Sequence, residues 1–223
     1  LSSFTDSGSS SSDKVTTDKN FTLNSSGAEG GATPVFQVST DNGDHWTTTT
    51  ASQTNLSDGT YLYRVQVTDA AGNQSYTPTV TVTVDNTPPS AVVTGIVNDT
   101  GSVGDHITSD NRLVINGTAE AGASVQVFRN GSSIGTTTAD SSGNWSYDYT
   151  GTTLSNNTTY QFSAGATDLA GNTGSTSADY AVAIDRTAPP ATVSITKIDQ
   201  DTGTSSTDFI TKDTVLTVSG TNA

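Results

Sequence analysis

Tyr61-Leu62-Tyr63-Arg64-Val65-Gln66-Val67-Thr68-Asp69-Ala70-Ala71-Gly72-Asn73 is the stretch that decides the fold. Tyr61, Tyr63, Val65 and Val67 fall on one side of a two-residue alternation, with Leu62, Arg64 and Gln66 on the other, the pattern of a half-buried β-strand. Thr68-Asp69-Ala70-Ala71-Gly72-Asn73 then reads as a hairpin turn, because Asp and Asn tolerate turn geometry and Gly supplies a positive φ. The same strand and turn recur in Tyr160, Phe162, Ala164 and Ala166, followed by Thr167-Asp168-Leu169-Ala170-Gly171-Asn172, 99 residues later.

Two further motifs keep that period. Asp85-Asn86-Thr87-Pro88-Pro89 returns as Asp185-Arg186-Thr187-Ala188-Pro189-Pro190. An Asp-x-Gly signature with two following Asp occurs three times: Asp6-Ser7-Gly8 with Asp13 and Asp18, Asp99-Thr100-Gly101 with Asp105 and Asp110, and Asp201-Thr202-Gly203 with Asp208 and Asp213. Thr16, Thr108 or Thr211 lies between the last two Asp of each copy. Motifs repeated in one order at a fixed period mark a tandem array.

The strands after the hairpin carry Val80, Val82 and Val84, matched by Tyr180, Val182 and Ile184; Phe21/Leu23, Leu113/Ile115 and Leu216/Val218 occupy equivalent inward positions early in each unit. No segment has helical period. Short strands with a turn signal roughly every 8–12 residues describe Greek-key, immunoglobulin-like β-sandwiches in a linear all-β array. The expected boundaries are residues 1–86, a repeat lacking its first strand; residues 87–186, a complete repeat; and residues 187–223, the opening strands of a third, too few for a core of their own.

Composition narrows the function classes. The chain has 223 residues, 31% of them hydrophobic, with no Cys and no Met. The apolar residues sit in short alternating runs, which argues for small β cores over disorder. Eight Lys+Arg against 22 Asp+Glu give a formal charge of −14, which excludes a nucleic-acid surface and disfavours an anionic membrane. Without cysteine no disulfide can staple the domains. No apolar run is long enough to span a membrane, and the start does not read as a signal peptide.

These motifs resemble the bacterial Ig-like repeats of giant adhesins exported by type I secretion and of large biofilm-associated proteins. The resemblance rests on the junction Asp-x-Thr-(x)-Pro-Pro, the Thr-Asp-x-Ala-Gly-Asn hairpin, the early Asp-x-Gly signature, Gly117-Thr118-Ala119-Glu120-Ala121-Gly122-Ala123, and Asp140, Gly143, Trp145 and Ser146. In the first unit Gly27-Ala28-Glu29-Gly30-Gly31 replaces the Gly-Thr-Ala-Glu-Ala-Gly run. The resemblance implies extracellular, cell-surface spacer repeats of a monomeric chain whose nearest partners are its own adjacent repeats, with host glycans or surfaces met through a distal region.

The acidic residues point to calcium, which takes six to eight oxygens from several loops. In such a sandwich the chain enters at one pole and leaves at the other. Asp85 at the junction and Glu120 and Asp168 in the entry-pole loops of the second unit form the expected interdomain set. Glu29 and Asp69 are their counterparts in the first unit, and Asp185 is the counterpart of Asp85. The second expected set is the Asp99, Asp105 and Asp110 loop, with its copies Asp6, Asp13, Asp18 and Asp201, Asp208, Asp213; the competing reading is plain turn chemistry.

Other signals are weaker. Trp46 and Trp145 read as core or rim aromatics before sugar platforms, and His45 and His106 are unmatched between units. Asp41-Asn42-Gly43-Asp44 lacks the long loop of an EF-hand and reads as a hairpin. The Asn-x-Ser/Thr sequons follow from composition. No repeated His/Asp pair could activate a Ser or Thr, and recurrence of the junction acids at linkers points to scaffolding over a glycosidase pair. A glycan-binding module and a linker array of a secreted enzyme are the competing classes; neither the spacer nor those makes this stretch itself an enzyme.

Overall fold

The computed structural model describes residues 4–28, 32–189, 194–199, 201–202, 204–205, 207–212 and 214–221. They hold strands and turns and no helix. Residues 1–186 form one compact unit and residues 187–223 another.

The first repeat contains β1 (Val15–Thr16), β2 (Phe21–Thr22), β3 (Thr33–Ser39), β4 (Thr47–Thr48), β5 (Ser52–Gln53), β6 (Gly59–Thr68), β7 (Gln74–Tyr76) and β8 (Val80–Val84). The second contains β9 (Ala91–Ile96), β10 (Ile107–Thr108), β11 (Val114–Ala119), β12 (Ser124–Arg129), β13 (Ser132–Thr138), β14 (Asn144–Asp148), β15 (Thr158–Thr167) and β16 (Tyr180–Ile184). One sheet has the order β1-β8-β6-β3-β4 in the first repeat and β10-β16-β15-β12-β13 in the second. The facing sheet is β14-β11-β9 in the second repeat but only β2-β5 in the first. Among the described residues the first repeat has no counterpart of β9.

In both repeats the short early strand runs parallel to the last one: β1 with β8 and β10 with β16. The other pairings are antiparallel, as hairpin connections require. Alternation places Tyr63, Val65, Val82 and Val84 inside the first sandwich and Phe162, Ala164, Ala166, Val182 and Ile184 inside the second. The second core is the fuller: Val93, Leu113, Ile115, Val125, Val127, Trp145 and Phe162 interlock across the two sheets. The Trp145 ring packs against Gly117, where a Cβ would collide with it. Phe21, Leu23, Tyr63, Val82 and Val84 make the smaller core of the first repeat, with Phe4 edge-on to Phe21.

The second unit contains β17 (Ser194–Ile198) paired with β18 (Val218–Thr221). Ile198 is buried, whereas Leu216 and Val218, read as inward by analogy, are exposed. A two-stranded ribbon has one layer, so among the described residues there is no second sheet to cover them.

Candidate functional site

Each late hairpin is closed by one aspartate. The amide of Asp168 donates to the Asn172 carbonyl at 3.1 Å, and Gly171 takes φ +97. Asp168 Oδ1 accepts the amides of Gly171 and Asn172, and Oδ2 accepts Asn172 Nδ2, all at 2.8 Å. Asp69 holds Ala71, Asn73 and the Asn73 side chain in the same way at 2.8 Å. The Asn73 side-chain bond, before the others, pulls the Asp69 carboxyl below the usual carboxylate range. Asp140 and Asp41 close further turns by the same use of a carboxylate on backbone amides, so the Asp41–Asp44 segment is a hairpin turn between β3 and β4.

The two copies of the late hairpin differ in surroundings. Asp69 is partly exposed, whereas Asp168 is only 4% exposed because it lies where the two repeats meet. Asn172 Nδ2 also donates to the Asp85 carbonyl at 3.0 Å, tying the hairpin of the second repeat to the last residue before the linker. Ser7 Oγ donates to the Ala170 carbonyl at 2.5 Å. A Cβ on Gly8 would collide with the Leu169 carbonyl oxygen, one on Gly171 would sit 3.0 Å from Gly8, and one on Gly174 would collide with the Pro89 carbonyl oxygen. A cleft of about 770 Å³ lined by Gly8, Ser9, Gly122, Asp168 and Gly171 opens beside this contact. Sequence reasoning missed Ser7, Gly8, Gly171, Asn172 and Gly174 as contact residues. Their signal was present as repeated glycines, but a turn explains a glycine equally well.

The junction acids act on one another electrostatically. Burial, then the negative charges of Asp168 and Asp85, push the Glu120 carboxyl up. Glu120 shares this electrostatic neighbourhood without closing a cage: among the described residues, no three His, Cys, Asp or Glu side chains converge to hold a metal ion between them. A cation there would have to complete its shell with carbonyls and water. Asp185 lies one residue past β16, its amide bonded to the Thr108 carbonyl at 2.9 Å.

In the Asp-x-Gly loops most carboxylates serve turns. Asp13, Asp105 and Asp208 each accept the amide two residues on, at Val15, Ile107 and Ile210. Asp18 accepts Asn20 and Thr5 amides, and Asp110 accepts the Arg112 amide and the Asn98 side chain. The residues between, Lys14, His106 and Phe209, all have left-handed φ, at 59°, 64° and 59°. A buried threonine pins each complete loop: Thr16 Oγ1 donates to the Thr5 carbonyl, and Thr108 Oγ1 to the Asn98 carbonyl. His106 stacks on Tyr180 with centroids 4.3 Å apart.

The first aspartate of each loop behaves differently. Asp6, Asp99 and Asp201 each accept one backbone amide on Oδ2, from Lys14, Gly104 and Phe209. In all three, Oδ1 is buried and has no hydrogen-bond partner among the described residues. A buried carboxyl oxygen without a donor is costly, and that cost recurs at one loop position. Glu29 and Asp213 lie outside the described residues.

The aromatic residues also separate. Trp145 is buried, while Trp46 stands at the rim of the first repeat with Arg64 held 4.0 Å over its ring and 4.3 Å from Tyr76.

A profile of the bacterial Ig-like domain matches residues 1–86 and again residues 88–186. The chain belongs to the bacterial Ig-like domain family. No curated protein matches it. Several solved structures are similar to it. Fibronectin(III)-like modules of Clostridium thermocellum CbhA share 15% identity over 77% of this chain and 87% of theirs, with a TM-score of 0.32. A Ca2+-stabilised adhesin with which an Antarctic bacterium binds ice shares 24% identity over 75% of this chain and 43% of its own, with a TM-score of 0.35. The BSP domain of a biofilm-associated protein shares 21% identity over 78% of this chain and 29% of its own, with a TM-score of 0.31. The chain thus spans less than half of each of the last two. No helix among the described residues is long and apolar enough to cross a membrane.

Proposed function

We propose that this chain is a run of spacer repeats from a giant bacterial cell-surface adhesin of the type I secretion class, stiffened by calcium outside the cell. The observation that carries the calcium reading is the buried, partnerless Oδ1 of Asp6, Asp99 and Asp201. Three Asp-x-Gly loops leave the same oxygen buried and without a donor among the described residues, and calcium prefers carboxylate and carbonyl oxygen. Glu120, crowded by Asp168 and Asp85, marks the junction as a second place where positive charge relieves repulsion.

Extracellular calcium modules bind at about 0.1–1 mM, so these sites fill outside a cell and stay empty in its cytosol. The array is then flexible before export and stiff after it. Its role is structural: it carries a distal binding region away from the surface, and it catalyses nothing itself.

Calorimetric titration with calcium, paired with melting in calcium and in excess chelator, tests the reading. At about 1 mM calcium and a Kd of about 0.1 mM, each site adds about 1.4 kcal/mol. Asp99→Asn should remove one site from the titration while leaving the chelator melt nearly unchanged. No heat of binding and superimposable melts would reduce the acidic loops to turn chemistry.

A further inference from the structure

The junction between the repeats joins two motifs that each repeat carries at opposite poles, and each motif has a second copy whose glycine meets no neighbour among the described residues. The Asp6-Ser7-Gly8 loop at the exit pole of the first repeat meets the Asp168–Asn172 hairpin at the entry pole of the second through the Ser7–Ala170 hydrogen bond and the apposed Gly8 and Gly171 backbones.

The Asp99-Thr100-Gly101 loop has the same build. Gly8 and Gly101 have φ of +89 and +88. Ser7 Oγ accepts the Thr17 amide at 2.8 Å, and Thr100 Oγ1 accepts the Ser109 amide at 2.7 Å. Those hydroxyls lie 3.4 and 3.2 Å from the buried Thr16 and Thr108. What differs is the neighbour. A Cβ on Gly8 would strike the next repeat, while one on Gly101 would meet nothing within 4 Å among the described residues. The same holds at the other pole, where a Cβ on Gly171 would press on Gly8 and one on Gly72 would meet nothing.

We propose that the Asp99-Thr100-Gly101 loop is a socket for the Thr-Asp-x-Ala-Gly-Asn hairpin of a further bacterial Ig-like repeat. The hairpin seats as Asp168–Asn172 seats on Asp6-Ser7-Gly8: its glycine backs onto Gly101, and the Thr100 hydroxyl donates to the carbonyl before that glycine. Asp69–Asn73 is the complementary plug. The contact is heterologous and head to tail, so it propagates along an array without closing. The bond and the backbone apposition that it copies, Ser7 to the Ala170 carbonyl and Gly8 against Gly171, use a hydroxyl, a carbonyl and glycine backbone, so the socket does not depend on calcium.

The test compares the 223-residue chain with one in which a second copy of residues 87–186 follows Arg186, both in excess chelator. Gly8→Ala and Gly101→Ala impose the same left-handed backbone strain, so their difference isolates the docking clash. In the 223-residue chain, 15N relaxation should show repeats one and two tumbling separately in Gly8→Ala and together in Gly101→Ala. In the lengthened chain, Gly101→Ala should free the added repeat. A mutation-free measurement guards against misfolding: on lengthening, the Thr100 and Gly101 amide shifts should move while Gly72 stays. An added repeat that tumbles with its neighbour despite Gly101→Ala, or Thr100 and Gly101 shifts that do not move, would overturn the socket. Repeating the measurements in calcium separates this result from the calcium reading, which the calorimetry tests alone.

Discussion

Asp168→Ala and Asp69→Ala remove the same carboxylate from the same turn, so their difference measures what the junction adds. In the second repeat the change strips acceptors from the Asn172 amide and Asn172 Nδ2, and one of two from the Gly171 amide, which keeps the residue-168 carbonyl at 3.3 Å. Asp168 is 4% exposed, so the orphaned Asn172 amide is cut off from water at about 1–3 kcal/mol. Losing the anchor that aims Asn172 Nδ2 at the Asp85 carbonyl adds about 1 kcal/mol, for a total of about 2–4 kcal/mol. The freed donors around Asp69 meet solvent, and Asp69→Ala costs clearly less. The chain has two tryptophans, one in each repeat, so a Trp46→Phe background makes urea unfolding followed by fluorescence report the second repeat through Trp145. At about 4–8 °C per kcal/mol for a domain of this size, the Asp168→Ala thermal melt should fall by about 8–32 °C. Equal losses for the two variants would refute the burial argument, because each carboxylate accepts three hydrogen bonds.

Three further outcomes follow. Glu120→Gln removes a carboxylate whose folded pKa is raised by burial and by Asp168 and Asp85; such a group favours the folded state below its unfolded pKa and opposes it once pH rises through the folded value. At neutral pH in chelator the variant should therefore melt no lower than the parent, while in calcium it should show a smaller calcium-induced rise. Thr108→Val keeps the shape of a buried side chain but deletes the donor to Asn98 and the acceptor for Asp110; urea unfolding should show a loss of about 2–3 kcal/mol. Asp41, held by the His45 amide and the Ser39 hydroxyl, has its carboxyl lowered to about 2; the turn's contribution is full above the unfolded value and lost as pH falls toward 2, and carbon-detected NMR titration should place the midpoint there.

The fold was legible because its signals are local. A two-residue alternation ending in Asp-x-x-Gly-Asn specifies a strand and a turn with nothing from elsewhere in the chain, and both copies behave alike. The site was legible in part. Placing the loops by pole grouped Asp85, Glu120 and Asp168, and the charges of the two aspartates do act on Glu120, but sequence cannot see which backbone amides claim an oxygen first. Asp13 and Asp105 look equivalent to Asp6 and Asp99 in the repeat, yet they serve the amide two residues on, and among the described loop aspartates only the first of each loop keeps a buried oxygen free of donors. Gly8 and Gly171 were hidden for another reason. A left-handed turn and a close approach of two backbones both demand glycine, so the second demand leaves no separate trace.

Where the two repeats agree and where they part bears on what they do. Agreement is concentrated at the poles: the Thr16 and Thr108 pins each reach the carbonyl before the first loop aspartate, and Asp69 and Asp168 each hold the amide and side chain of the Asn four residues on. The sheet faces diverge. On β6 the Arg64 guanidinium lies between Trp46 and Tyr76 with Gln37 and Gln66 beside it, whereas the positions 99 residues later on β15 are Ser163 and Gly165. A module that binds a glycan through each copy needs the opposite distribution, with a repeated aromatic face and freely varying ends. The two copies share the Asp-x-Gly loop and the late hairpin at their ends and differ on their sheet faces, and the calcium and socket readings both place their chemistry at those ends.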